Sequence, residues 1–148
     1  MLTKIREDKS ILLIMSIGVA YLWFGMLKFF PHLSPAEDVA GETISLLTFH
    51  LIPKNVSVIM LAIWETSLGI LLLLNFRHRL VIYSGIIHMT CTFTPLFLMS
   101  DVCFDKHFYS LSLLGQYIIK NLIILSAFLV LLPRKGEVKQ FSKNSSPD

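Results

Sequence analysis

Four apolar runs, residues 11 to 30, 56 to 75, 80 to 99 and 111 to 132, constrain this chain more than any other feature of its sequence. Each is close to the roughly 20 residues that a helix rising about 1.5 Å per residue needs to cross a hydrocarbon core. Hydrocarbon offers no hydrogen bonds to an open backbone, so such runs cross a membrane as helices. The expected fold is all-α: a single domain over 1 to 133 built as a four-span transmembrane helix bundle, followed by a polar, disordered tail over 134 to 148. Residues 54% hydrophobic and 16% charged agree, since a soluble core in 148 residues has no room for that apolar surface.

The first run resembles a signal peptide in having Lys4, Arg6 and Lys9 ahead of it. No small-residue cleavage site follows before Glu37 and Asp38, so it is read as an uncleaved span. Between the first two runs, Ser34, Pro35, Ala36 and Glu37 form a capping box with proline at the first helical position. The short amphipathic helix it opens carries Val39, Ala40, Thr43, Leu47, His50 and Leu51 on one stripe, with Glu37, Asp38, Glu42 and Ser45 opposite. Pro53 closes it. That helix is expected on the outer face, lying in the interface or capping the span ends. The turn Phe76-Arg77-His78-Arg79 is so short that the second and third spans must run antiparallel.

Nine of the chain's 13 Lys and Arg fall in the N-terminal segment, the 77 to 79 turn and the tail after 133, whereas the two opposite connections carry Lys54 and Lys106. By the positive-inside rule both termini and the short turn are cytoplasmic (N-in/C-in), as in a bacterial inner membrane protein. Basic residues distributed this way mark topology and do not form a nucleic-acid face. Lipid is thus the first partner, with other membrane proteins or a homo-oligomer as further candidates. Cys91 and Cys103 lack the spacing of a CxxC pair or a zinc site, and no metal site, phosphate loop or G-x-S-x-G elbow is present.

Each span carries an ionisable group. With every span centred on the midplane, Glu65 falls at mid-depth, His88 and Lys120 lie within roughly 2 to 3 Å of it, and Lys28 sits about 11 Å nearer the outer surface. An ion at the centre costs on the order of 2.5 to 3.5 kcal/mol, so these groups should face inward and meet. The favoured contact is Glu65 with Lys120, with His88 as third member; Lys28 is left between an inward role and snorkelling to the headgroups. Helical stripes support inward faces: Gly18, Tyr21, Gly25 and Lys28; Ser84, Gly85, His88, Cys91, Thr92 and Pro95; Gln116, Tyr117, Lys120 and Ala127.

Trp23 and Trp64, away from the usual interfacial belts, offer flat walls to a ring-shaped ligand such as a quinone, or simply pack against lipid. The candidate ligand-binding set is Lys28, Trp64, Glu65, His88, Thr92, Gln116, Tyr117 and Lys120. Within it Glu65 and His88 are the candidates to move protons and Lys120 the candidate to hold an oxygen anion. A structural ion pair, with His88 as helix-to-helix glue, is the plainer alternative.

Three segments resemble the DoxX-like family of small four-helix membrane proteins: Tyr21 to Phe30, Trp64 to Ile70 and Leu114 to Asn121. The likeness covers roughly residues 10 to 132. It implies a four-helix bundle in a bacterial cytoplasmic membrane, in a family some of whose members are membrane subunits of quinone-reducing sulfur oxidoreductases or accessory proteins for redox enzymes. By position it carries over a Gly-x-x-Lys ending of the first span, Gly25 and Lys28, and an acid on the second span, Glu65. The chain departs from any cysteine-pair relay. Two functions remain open: a subunit of a quinone-linked redox system, or a non-catalytic assembly partner using small residues on the spans and the aromatic loop with Phe104, Phe108 and Tyr109. A proton-coupled transporter is a third, weakened by the lack of an inverted repeat.

The topology makes a direct forecast. Alkaline phosphatase, active only after export, should be silent when fused after His78 or Asp148 and active when fused after Asp105; the reverse pattern would invert the orientation.

Overall fold

The computed structural model describes residues 2–31, 33–34, 37–76, 78–105 and 109–132. Parts of the expected capping box (Pro35, Ala36), the aromatic loop (Phe108), the basic turn (Arg77) and the polar tail lie outside them. Among the described residues every regular element is helical: α1 (Leu2–Leu27), α2 (Glu37–Leu47), α3 (Lys54–Leu73), α4 (Arg79–Cys91), α5 (Pro95–Leu98), α6 (Ser100–Cys103) and α7 (Leu113–Leu131). Four stretches are long and apolar enough to cross a bilayer, Lys9–Leu27, Lys54–Leu73, Arg79–Leu98 and Leu113–Leu131.

The third stretch is not one helix, as the run 80 to 99 had suggested. Pro95 has no N–H to give the Cys91 carbonyl, which instead accepts from Thr94 at 3.1 Å, so α4 ends in a turn before α5 begins. At the other end of this segment, Ser112 caps α7: its hydroxyl accepts from the Gly115 N–H at 3.1 Å and donates to the Val102 carbonyl at 2.7 Å. Cys103 is fully buried there, its Sγ donating to the Pro95 carbonyl at 3.5 Å, and burial raises its thiol pKa.

The bundle is two antiparallel helix pairs, α1 with α3 and α4 with α7, joined more loosely to each other, with α2 packed on the first half of α3. Glycine sets the α1–α3 approach. A β-carbon on Gly69 would stand 2.5 Å from the Leu22 backbone nitrogen, and one on Gly25 would stand 2.7 Å from that of Thr66. Small residues at such crossings let backbones touch, which is how helices associate where no hydrophobic force acts between them. In the other pair Gly85 makes room for the ring of Phe128, a fully buried side chain. Tyr21 joins the pairs, its ring edge-on to Phe128 at 5.8 Å.

The same glycine contacts fix a register. Gly18 lies beside Leu73, Leu22 beside Gly69 and Gly25 beside Thr66. Relative to the expected span centres, α1 and α3 have slid past one another by about five residues, roughly 8 Å. Glu65 therefore stands level with the last turn of α1, and the first half of α3 rises beyond α1 to meet α2, where Gly41 faces Lys54 and Val58. An exposed ion pair between Lys54 and Asp38, 2.8 Å, ties α2 to the start of α3. Val39, Ala40, Thr43 and Leu47 of the α2 stripe line the bundle interior, so the helix caps the spans, whereas His50 and Leu51 are exposed and Ser45, expected on the opposite side, is buried. It ends earlier than Pro53 had implied: Phe49 and His50 take left-handed backbone angles (φ 52° and 61°), and the His50 ring bonds Ser45 at 2.9 Å.

Two substitutions probe this interface. Gly69→Ala should lower stability by about 1 to 3 kcal/mol through overpacking. Thr66→Val should raise it by about 1 kcal/mol, because the buried Thr66 hydroxyl pressed on Gly25 has no hydrogen-bond partner among the described residues. Unfolding in detergent micelles measures both.

Candidate functional site

Four side chains from three helices and one turn form a continuous polar chain inside the bundle. Lys28 follows α1 in a turn, its backbone N–H bonded to the Gly25 carbonyl. Its stem folds back along the helix so that Nζ lies 3.4 Å from the Phe24 carbonyl and 2.5 Å from Glu65 Oε2. The other carboxylate oxygen, Oε1, is 3.4 Å from His88 Nε2 on α4. The second ring nitrogen, Nδ1, shares a 3.0 Å hydrogen bond with the Tyr21 hydroxyl on α1. Lys28 and Glu65 are each only 7% exposed.

The chemistry of the chain is self-consistent. With Glu65 ionised, its two oxygens accept from Lys28 and from His88 Nε2–H; Nδ1 is then free to accept from the Tyr21 hydroxyl, and this tautomer is the one the network dictates. The cluster carries one cation and one anion and is neutral as a whole. A second polar pair lies beside it, Asn121 Nδ2 donating to Thr92 Oγ1 at 3.1 Å.

Both pairs border a cavity of about 450 Å³ enclosed by α1, α2, α3, α4 and α7. Lys28, Tyr21, Glu65, His88, Thr92 and Asn121 supply its polar wall. Phe24, Leu61, Met89, Ile118 and Ile124 are among the apolar groups that make up most of the rest. Mostly apolar walls with a few converging polar groups, at this volume, are the usual make-up of a small-molecule site.

The sequence-based expectations fare unevenly. Lys28, Glu65, His88, Thr92 and Tyr117 all line the cavity, and the stripe Gly18, Tyr21, Gly25, Lys28 is buried throughout. The pairing of Glu65 with Lys120 is overturned: Lys28 holds Glu65, and Lys120 stands on the exposed side of α7 with its Nζ 5.0 Å from the centre of the Tyr117 ring. Centring each span on the midplane caused the error, because the 8 Å slide between α1 and α3 brings Lys28 to the level of Glu65. The inward stripe of α7 is also displaced. Gly115, Ile118 and Phe128 are buried, with Asn121 on the same side, whereas Gln116 is exposed and bonds the Leu111 carbonyl.

Trp64 and Trp23 do not wall the cavity. Trp23 is exposed on α1, and Trp64 faces a separate shallow groove between α3 and α4 with Ser67, Leu71, Leu80 and Ser84. Tyr21, Ser34, Thr43 and Asn121 are polar wall residues outside the set expected from the sequence. Tyr21 lies on the expected inward stripe, but helical spacing does not show that its hydroxyl meets His88 across the bundle. Asn121 lies off the stripe Gln116, Tyr117, Lys120 and Ala127 that the spacing had placed inward.

These helices make the chain a multi-pass membrane protein with a buried polar cluster at its centre. No protein-family model, curated protein or solved structure matches it.

Removing one partner of the pair strands the other charge in a dry interior, so Glu65→Met or Lys28→Met should each cost about 3 to 5 kcal/mol of stability. The double variant should recover most of that loss. Denaturant titration in detergent measures the cycle, and additive single losses would mean that the two groups are not coupled.

Proposed function

We propose that this protein is a multi-pass membrane protein of the DoxX-like type that binds a lipid-soluble, quinone-like molecule in its central cavity as part of a redox system. The observation that supports the reading is the meeting, on one cavity wall, of a lysine, a carboxylate, an imidazole and a phenol in unbroken contact. A cavity needed only to be filled has no use for four linked titratable groups, each costly to desolvate. The family reading rests on the segments Tyr21 to Phe30, Trp64 to Ile70 and Leu114 to Asn121, which carry the resemblance, with Gly25, Lys28 and Glu65 carried over by position.

The donor set suits a quinone head. Such a head supplies two carbonyl oxygens that take up protons as electrons arrive. Lys28 Nζ offers a charged N–H for one of these oxygens, and the Tyr21 hydroxyl is a neutral donor in the same wall. When His88 takes up a proton at Nδ1, Glu65 holds the imidazolium through Nε2–H, and the Tyr21 hydroxyl, now accepting from Nδ1–H, turns its own proton to the quinone oxygen. Phe24 and Met89 provide apolar contacts for a ring.

Binding of decylubiquinone to the purified protein tests this reading. A ligand at about 100 times its Kd should stabilise the wild type by about 2.7 kcal/mol, read as a rise in melting temperature. The Lys28→Met/Glu65→Met double variant should fold yet lose the response, and Tyr21→Phe should weaken it. A wild-type protein indifferent to decylubiquinone would defeat the quinone reading.

One observation favours the assembly-partner reading instead. Lys120 lies near the middle of α7 on an exposed face, where hydrocarbon alone is a costly neighbour for an ammonium group. Contact with another membrane protein would relieve that cost, and Lys120→Met would then shift the complex seen in native gels to the size of the free chain.

A further inference from the structure

α2 closes one end of the cavity through Val39, Thr43 and Ile44. The two helix pairs touch each other only sparsely, α3 against α4 and α1 against α7 alike, and on the second of these sides lining residues of both helices reach the surface. Five of the lining residues are also exposed on the molecular surface: Phe24, Leu47, Cys91, Leu113 and Tyr117. None of the five carries a charge, whereas both ions that line the cavity, Lys28 and Glu65, are buried. Phe24 on α1, 46% exposed, and Tyr117 on α7, 43% exposed, mark the two sides of the gap.

The chemistry of this rim decides what lies outside it. A mouth opening to water is normally edged by polar groups that stay hydrated, and an apolar rim between two membrane-crossing helices is wetted by acyl chains instead. We infer that the cavity is entered sideways from the hydrocarbon of the bilayer, through the gap between α1 and α7 flanked by Phe24 and Tyr117, and that its ligand is an amphiphile that never leaves the lipid phase. The inference rests on the cavity being a binding site. It adds the route and therefore the ligand class, an oxygen-bearing head on an apolar tail, and excludes water-soluble substrates.

A thiol placed deep in the cavity reports the route. Met89 lines the cavity and is 6% exposed, so a side chain there is reached through the cavity. In the full chain carrying Cys91→Ala and Met89→Cys, reconstituted in phosphatidylcholine vesicles, N-ethylmaleimide should label the new thiol. A charged sulfonate methanethiosulfonate, present on both sides of the membrane, should be about a hundredfold slower, as the cost of carrying a charge through hydrocarbon implies. Adding Phe24→Trp and Tyr117→Trp should slow the neutral reagent severalfold without lowering the melting temperature. Ile118→Cys, another buried lining position, serves if the Met89 variant fails to fold.

Equal rates for the two reagents would show a watery mouth and overturn lateral entry while leaving the cavity reading intact. Labelling indifferent to the tryptophans would place the route elsewhere and overturn it as well. A thiol that reacts with neither reagent until the protein is denatured would show a closed interior and sink both the route and the binding site.

Discussion

An ammonium and a carboxylate cannot be left apart in hydrocarbon, and the contact between Lys28 and Glu65 is the constraint around which the bundle is arranged. In that setting the pair is held together by a Coulomb attraction that water would weaken many-fold. Its geometry demands that the end of α1 lie level with the middle of α3. Glycines at 18, 25 and 69 permit the required approach, since each removes a side chain from the line of contact. The pair and the glycines depend on one another: without the close crossing the lysine stem would not reach, and without the pair nothing polar would favour this register over a neighbouring one.

The slide between α1 and α3 has consequences across the molecule. It leaves the first half of α3 without α1 as a neighbour, and α2 fills that place. The two helix pairs then meet along a wall that carries Tyr21, Glu65 and His88, and they touch only sparsely, α3 against α4 and α1 against α7. A bundle of four evenly packed helices would have closed that space. Here two tight pairs joined loosely leave about 450 Å³ between them, and the polar chain lies on its wall. The break at Pro95 matters for the same reason. It ends α4 at Cys91 with Thr92 as the C-cap, and that hydroxyl accepts from Asn121.

Much of this was legible in the residues. Four apolar runs of spanning length, the antiparallel turn before Arg79, the capping helix after Ser34 and the buried stripe from Gly18 to Lys28 follow from local rules of length, turn chemistry and helical period. So did the demand that Glu65 find a cation. Which cation was not legible, because depth was counted along each helix separately and relative sliding is not a property of any one helix. Lys120 was a natural choice by that count and sits on the wrong face. Its neighbour Asn121, one position and about 100° further round α7, points inward instead.

The sequence by itself determined that this chain crosses a membrane, that its helices must bring ions together inside it, and that small residues mark where helices meet. Those follow from the solvent properties of hydrocarbon and from periodicity, both of which act locally along the chain. The tertiary structure alone decided that Lys28 and not Lys120 answers Glu65, that Tyr21 completes the chain through His88, and that a cavity lies beside them. Partner choice and empty space depend on how rigid helices slide and rotate against each other, and a linear pattern carries no coordinate for either motion.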